Sequence, residues 1–134
     1  MSSMFAAGAV VYAKDLQRLV RFYAGVCGLP VVDAGPDHAL LQSESCQLVL
    51  HALPEAIAAE IEITTPPQRR EEQAIKLCFA VRSIAAARAQ APGLGGQIDG
   101  SEREWMFQGC RVCDGQDPEG NVIQLRELRV AVAD

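Results

Sequence analysis

The chain repeats one local pattern, in which a strand is followed by a capping residue and an amphipathic helix. The first copy begins with residues 8–16 (GAVVYAKDL), and the second begins with residues 76–84 (KLCFAVRSI). In each copy an apolar, β-compatible segment precedes a helix-capping residue, Asp15 or Ser83, and a helical pattern follows. Each unit is too small to bury a core alone, so the repeat predicts two similar modules that share one core.

The first module is predicted to contain a strand, a helix and three further strands. Apolar residues three and four positions apart give the helix one buried face, and Gly28 ends it. Turn-forming residues then separate three short strands, at residues 29–34, 39–43 and 47–52. This order is a βαβββ unit, which we assign to residues 5–52.

The second module is predicted to repeat this order after a linker at residues 53–72, which contains three prolines and a charged run. A strand and an alanine-rich helix come first. Short strands are then predicted at residues 105–107, 110–114 and 122–127. The sequence DPEG at residues 117–120 fits a type I turn between the last two strands. The predicted fold class is therefore α+β, in a single domain at residues 1–134 whose second module spans residues 73–130.

Charge and composition exclude several classes of protein. The formal net charge of −5 provides no basic field for a phosphate backbone, so we do not expect nucleic acid as a partner. The apolar stretch near the N-terminus has no positive region before it and is soon followed by Lys14, which favours a strand over a signal peptide or membrane span. Five cysteines, an odd number in a chain without an export signal, favour reduced thiols and a cytoplasmic location.

The chain resembles the vicinal oxygen chelate superfamily, which includes glyoxalase I, extradiol dioxygenases, fosfomycin-resistance enzymes and bleomycin-resistance proteins. The likeness lies in the two βαβββ units, in Phe22-Tyr23 of the first helix and Gly28-Leu29 at its end, and in the closing segment 117–127 (DPEGNVIQLRE). The resemblance implies two modules with mixed sheets curled around a shared cavity. It also implies a homodimer, because relatives often complete their cavities by pairing modules between chains. It does not determine the reaction, since one scaffold hosts unrelated functions.

Metal-dependent members of the superfamily place His or Glu at four positions, on the first and last strands of each module. Matched residue by residue, these positions fall on Gly8, Val49, Lys76 and Gln124. Only Gln124 could ligate a divalent ion in the ordinary way, and the ammonium of Lys76 would repel one. The resemblance therefore predicts that the usual metal site is absent and that no metal or other cofactor is bound.

Strand alternation predicts what occupies the cavity instead. The strand faces turned away from the helices are expected to carry donors and cations but no carboxylate, which suits a small molecule with an anionic or carboxylate group. Large amphipathic rings add surfaces on which such a molecule could stack. We predict five ligand-binding residues on these grounds: Tyr12, His51, Lys76, Trp105 and Gln124.

Three of these candidates also have a purely structural interpretation. Lys76 could form an ion pair, His51 could bond to the backbone, and Trp105 could pack in the core. Arg126 could hold an anion through its guanidinium, although an exposed arginine on a strand is usually only solvated. The sequence assigns no catalytic residue.

Three functions are open on the sequence alone. The first is a small-molecule-binding protein of the glyoxalase/bleomycin-resistance type that lacks the usual metal site. The alternative is a metal-dependent lyase or dioxygenase that resembles glyoxalase I, with an atypical ligand set including His51 and Gln124. The third is metal-free catalysis with His51 or Lys76 as the base. The sequence does not decide whether the protein is an enzyme.

Overall fold

The first module forms one four-stranded sheet beside a helix. The structure, a computed structural model, describes residues 6–127. The elements of this module are β1 (Ala7–Ala13), α1 (Leu16–Val26), β2 (Val31–Ala34), β3 (His38–Gln42) and β4 (Cys46–Ala52). The sheet has the strand order β1-β4-β3-β2, and β1 runs parallel to β4 while the other pairs are antiparallel. We call it the first sheet.

The second module follows a four-residue helix, α2 (Glu55–Ala58), and forms a five-stranded sheet, the second sheet. Its elements are β5 (Leu77–Val81), α3 (Ile84–Gln90), β6 (Gln97–Ile98), β7 (Trp105–Phe107), β8 (Cys110–Gln116) and β9 (Val122–Glu127). The strand order is β5-β9-β8-β6, with β5 parallel to β9, and β7 also pairs with β8. The α+β fold class with mixed sheets is thus confirmed. The predicted start of the first module, at residue 5, lies outside the described residues. So does the predicted end of the second module, at residues 128–130.

Both main helices begin at the predicted capping residues. The side chain of Asp15 accepts a hydrogen bond from the backbone amide of Arg18 at 3.3 Å, and Ser83 accepts one from Ala86 at 3.0 Å. Each bond satisfies an amide that the first turn of a helix leaves unpaired. Among residues 6–127, no helix is both long enough and apolar enough to cross a bilayer.

One hydrophobic core joins the two sheets through the helices. The buried residues Leu48 and Leu50 in β4 and Phe79 in β5 alternate with exposed or half-buried neighbours, as predicted, whereas in β9 Ile123, Gln124 and Leu125 are all buried. Tyr23 of α1 belongs to the same core and lies 5.5 Å from Phe79 between ring centroids. Helix α1 therefore packs against one face of each sheet. The opposite face of each sheet is not covered by a helix, and we call it the open face.

The turn between β8 and β9 fastens the second module to the start of α1. Its predicted four-residue geometry is present, since the amide of Gly120 donates to the carbonyl of Asp117 at 2.9 Å. The carboxylate of Glu119, within the turn, accepts hydrogen bonds from the backbone amides of Lys14 and Asp15 at 3.0 and 2.8 Å. The turn thus supplies two acceptors just before α1, in the other half of the chain.

Asp117 forms a second connection between the modules. Its Oδ2 accepts a 2.7 Å hydrogen bond from the hydroxyl of Tyr23, and its Oδ1 accepts from the amides of Glu119 and Asn121. Burial raises the pKa of the Asp117 carboxyl above its ordinary value, while the hydrogen bonds from Asn121 and Tyr23 oppose this shift. A buried carboxylate is tolerated here because its lone pairs are satisfied.

Two segments outside the predicted strands and helices are ordered by the second module. The glycine-rich stretch at residues 92–100 overlaps a 3₁₀-helix (Ala91–Leu94) and includes β6. Within the predicted linker, Arg69 donates to the carboxylate of Asp99 at 2.6 Å and to the side chain of Gln116 at 3.0 Å. The charged run of the linker is therefore anchored to the second module.

Candidate functional site

The open face of the first sheet carries Tyr12 and His51 side by side. Tyr12 on β1 lies opposite His51 on β4, and His51 lies opposite His38 on β3. The ring centroids of Tyr12 and His51 are 6.0 Å apart, and Tyr12 is 61% exposed. The Nδ1 of His51 lies 2.8 Å from the carbonyl oxygen of Ala52. Two of the predicted ligand-binding residues are thus brought together on this sheet.

Lys76 and Gln124 come together on the open face of the second sheet, around a carboxylate. Gln124 on β9 lies between Cys78 on β5 and Asp114 on β8, in register with both. The Nζ of Lys76, just before β5, lies 2.9 Å from Oδ2 of Asp114. The expectation that this face holds no carboxylate is therefore wrong, and the ion-pair interpretation of Lys76 is the one that the structure shows.

The turn that precedes β9 could have predicted that Asp114 lies on this face. Residues 117–120 form a tight turn, so β8 and β9 pair outward from it in a determined register. Counting back from the turn places Asp114 opposite Gln124, and residues directly opposite in an antiparallel pair share a face. The signal was thus available in the sequence.

Both ends of the Gln124 amide contact protein groups. Its Oε1 accepts from Nε of Arg126 at 2.9 Å and from the thiol of Cys78 at 3.4 Å, while its Nε2 faces Oδ1 of Asp114 at 3.5 Å. These partners determine which end of the amide is oxygen, because a guanidinium only donates and a carboxylate only accepts. Gln124 is also buried, and its contact with Nε of Arg126 gives it the geometric role of positioning that side chain.

Arg126 has hydrogen-bonding capacity that the described residues do not use. Its Nε is bonded to Gln124, and its Nη2 approaches Sγ of Cys78 at 3.8 Å. Its guanidinium carbon lies 5.1 Å from the ring centroid of Phe107, within cation–π range. Between residues 6 and 127, no carboxylate lies within ion-pair distance of this half-buried guanidinium.

An aromatic patch borders Arg126. Trp105 and Phe107 on β7 are 39% and 46% exposed, so the core-packing interpretation of Trp105 is wrong. Val112 on β8 lies opposite both Trp105 and Arg126, and it is completely buried although it is outside the main core. The open face thus contains an apolar surface with a cation at its border.

The five predicted ligand-binding residues divide between the two sheets. Tyr12 and His51 lie on the first sheet, and Lys76, Gln124 and Trp105 lie on the second. A cavity of about 610 Å³ separates the edge strand β1 from the start of β5, and it is lined by Tyr12, Ile75, Leu77 and Val122 among others. Within the described part of the chain, no hydrogen bond joins the two groups.

The residues at the family's metal-ligand positions do not fit a divalent ion. Gly8 and Val49 offer no ligand atom, the ammonium of Lys76 is cationic and paired with Asp114, and the Gln124 amide is occupied by Arg126. No group of three or more His, Cys, Asp or Glu residues between positions 6 and 127 is placed to hold a metal ion. Hard and borderline divalent ions require anionic or imidazole ligands that converge on one point, which these positions do not provide.

A model of the Glyoxalase-like domain family matches residues 8–126. Among solved structures, the chain is similar to a glyoxalase/bleomycin resistance protein from Albidiferax ferrireducens, with 22% identity and a TM-score of 0.63 over 95% of this chain and 100% of that chain. A glyoxalase-related enzyme from Fulvimarina pelagi has 18% identity and a TM-score of 0.64, over 91% of this chain and 86% of that one.

A lactoylglutathione lyase from Agrobacterium tumefaciens is also similar, with 20% identity and a TM-score of 0.56 over 95% of this chain and 94% of that chain. At these identities, the likeness to solved structures shows the fold alone. None of the curated proteins matches the chain.

Proposed function

The chain belongs to the Glyoxalase-like domain family, within the vicinal oxygen chelate superfamily, and on that premise we propose that it binds a small anionic molecule without a metal ion. The observation that carries this proposal is the guanidinium of Arg126, which lacks a carboxylate partner among residues 6–127 and lies beside exposed aromatic rings. A carboxylate or similar group on the ligand would supply the missing partner.

The geometry of Arg126 suits a planar anion. Gln124 accepts from Nε and Sγ of Cys78 lies near Nη2, which leaves both hydrogens of Nη1 and one hydrogen of Nη2 for a ligand. A guanidinium presents its donors in a planar fork that matches a carboxylate, and a hydrogen bond to a charged group contributes about 1.5–3 kcal/mol. Trp105 and Phe107 offer ring faces for the apolar part of the same ligand.

The pairing of Lys76 with Asp114 limits how much negative charge a ligand of this face can carry. Its ammonium is neutralised by Asp114, so Arg126 carries the unbalanced positive charge of the cluster. We therefore propose a ligand with a single negative charge, with Lys76 and Gln124 as supporting residues. The alternative function is a metal-dependent lyase or dioxygenase, and no set of metal ligands among the described residues favours it. Homodimerisation stays a prediction from the resemblance, and analytical ultracentrifugation would measure it.

Benzoate is a suitable probe because it joins one carboxylate to one aromatic ring. Trp105 is the only tryptophan of the chain, so its fluorescence reports directly on binding at this face. We expect benzoate to change the fluorescence saturably, and Arg126→Gln to weaken its binding about tenfold or more, as the loss of a charge-assisted bond requires.

Arg111→Gln is the matched control for this experiment. Arg111 lies on the same sheet, but it pairs with Glu104 and Glu127 at 3.5 and 3.7 Å, and we expect its loss to leave benzoate affinity unchanged. Benzamide, which keeps the ring and lacks the charge, should bind much more weakly than benzoate. Equal benzoate affinity in the wild type and in Arg126→Gln would refute the proposal.

A further inference from the structure

The only two histidines of the chain are direct neighbours on the first sheet. His38 on β3 and His51 on β4 face each other in register, and Tyr12 on β1 lies on the other side of His51. Directly opposite residues on one sheet face have Cβ atoms roughly 5 Å apart. Three rings with polar atoms therefore form one row across the open face, which we call the ring row.

The backbone determines which nitrogen of His51 carries a hydrogen. The Nδ1 lies 2.8 Å from the carbonyl oxygen of Ala52, and a carbonyl oxygen can only accept a hydrogen bond. Nδ1 must therefore be the donor, and in the neutral ring Nε2 then has an unshared electron pair. Among residues 6–127, no hydrogen-bond partner of Nε2 is present. The ring is thus held with a basic nitrogen available to a ligand.

His38 is also an imidazole, but the neighbours of its two ring nitrogens differ from those of His51. Its Nδ1 lies 3.0 Å from Asp37, and its Nε2 lies 3.5 Å from Asp33, so carboxylates accept at both nitrogens. This arrangement favours the doubly protonated ring, which has no electron pair to offer. Of the two histidines, only His51 can accept a proton from a bound molecule in this geometry.

Tyr12 supplies an apolar surface next to this nitrogen. Its ring is inclined by 54° to the ring of His51 and is largely exposed to solvent. Tyr12 also borders the cavity of about 610 Å³ between β1 and the start of β5, whose lining includes the apolar residues Val10, Ile75 and Leu77. A small planar molecule beside Tyr12 would therefore have both a ring surface and space.

We propose that Nε2 of His51, beside Tyr12, is a metal-free proton-accepting site for an acidic hydroxyl on a small aromatic or enolic ligand. In the transfer, the ligand O–H bond breaks, its proton binds Nε2, and the electron pair stays on the ligand oxygen as a phenolate or enolate. The imidazolium keeps its Nδ1 hydrogen on Ala52, so the ring does not need to rotate. This inference goes beyond the proposed function and does not depend on Arg126.

The probe for this site is 4-nitrophenol, because its phenolate absorbs at a longer wavelength than the neutral phenol. Protein carrying Arg126→Gln, which removes the anion site proposed for the second sheet, is titrated into the probe at a pH below the pKa of the free phenol, and the histidine variants are made in the same background. We expect the phenolate absorbance to rise saturably with protein that keeps both histidines, which is the wild type of this comparison. The variant His51→Phe, which keeps a ring at this position, should lose at least about nine-tenths of the rise, because it has no nitrogen to accept the proton.

His38→Phe is the matched control, because it removes the other histidine of the same row. We expect this variant to keep the absorbance rise within about twofold of the wild type. Urea unfolding confirms that both variants are folded, and His51→Gln replaces His51→Phe if the latter is not. The neutral analogue 4-nitroanisole, which has no hydroxyl, should fail to displace the probe. No rise with the wild type, or a rise that persists in both His51 variants, would overturn the proposal.

Discussion

The Nζ of Lys76 and Oδ2 of Asp114 lie 2.9 Å apart, so the one lysine among the predicted ligand-binding residues already has an anionic partner within the protein. Asp114 is also the carboxylate that this face was not expected to hold. Because Asp114 pairs with Lys76, the net positive charge on the open face of the second sheet is smaller than the sequence suggests. The cation with unused donors is Arg126, one side chain further along the same cluster.

Removing the partner of Lys76 should strengthen anion binding. In Asp114→Asn, Lys76 is no longer neutralised, and the positive charge of the face increases by one. Because the pair is partly exposed, we expect a gain in benzoate affinity of only about twofold to fivefold. A titration followed by Trp105 fluorescence measures it. An affinity that falls in Asp114→Asn would show that Asp114 supports the bound ligand directly.

The two tyrosines of the chain should differ sharply in their contribution to stability. Tyr23→Phe leaves the buried carboxylate of Asp117 without one of its donors, which we expect to lower the free energy of unfolding by about 1–3 kcal/mol. Tyr12→Phe alters an exposed hydroxyl and should change it by less than about 0.5 kcal/mol. Urea unfolding measures both values. Similar losses in the two variants would contradict the role assigned to Asp117.

The pKa of His38 should lie above the ordinary value for histidine. Hydrogen bonds to Asp37 and then Asp33 raise the pKa of His38, and the contact with His38 lowers the pKa of Asp37. The resulting stabilisation is complete only between the unfolded pKa values of aspartate and histidine, about 3.9 and 6.5. It is lost as the pH falls through the lowered pKa of Asp37 or rises through the raised pKa of His38.

Because the chain has only two histidines, the pKa of His38 can be measured directly from its NMR ring signals. We expect Asp37→Asn to lower the pKa of His38 toward its ordinary value, because the first of its two partners is removed. The ring signals of His51 provide the internal comparison in the same spectra. A pKa of His38 that does not change in Asp37→Asn would contradict the hydrogen bond between them.

Two glycines three positions apart should respond oppositely to alanine. A Cβ on Gly96 would lie 2.6 Å from the backbone oxygen of Gln116 and would also collide with the ring of Phe22, so Gly96→Ala should destabilise the fold by about 1–3 kcal/mol. A Cβ on Gly93 would meet nothing within 4 Å, and Gly93→Ala should be neutral or stabilising by about 0.4–1 kcal/mol. Thermal unfolding of the two variants compares them, and equal melting temperatures would contradict the packing described here.

The features that the sequence predicts correctly are those set by local chemistry. Asp15 and Ser83 cap the helices because a short acceptor side chain next to an apolar helical pattern satisfies free amides. The inward strand faces follow from alternation, as the burial of Leu48 and Leu50 on either side of half-buried Val49 illustrates. Both features depend on residues only a few positions apart.

The features that were missed depend on contacts between distant parts of the chain. Lys76 meets Asp114 only because β8 and β9 pair outward from the turn, so its neutralisation is a consequence of sheet register. Core packing was the structural alternative for Trp105, and it fails because β7 is an edge segment that pairs only with β8. The glycine-rich stretch has no apolar period, and its short strand β6 exists because β8 offers it a partner.

The central claim is that the face around Arg126 and Gln124 binds an anion with no metal ion. Elemental analysis of protein purified without chelators, combined with benzoate titration before and after treatment with a chelator, tests it most directly. We predict a metal content far below one ion per chain and a benzoate affinity that the chelator leaves unchanged. A divalent ion present at roughly one per chain, whose removal abolishes benzoate binding, would contradict the account.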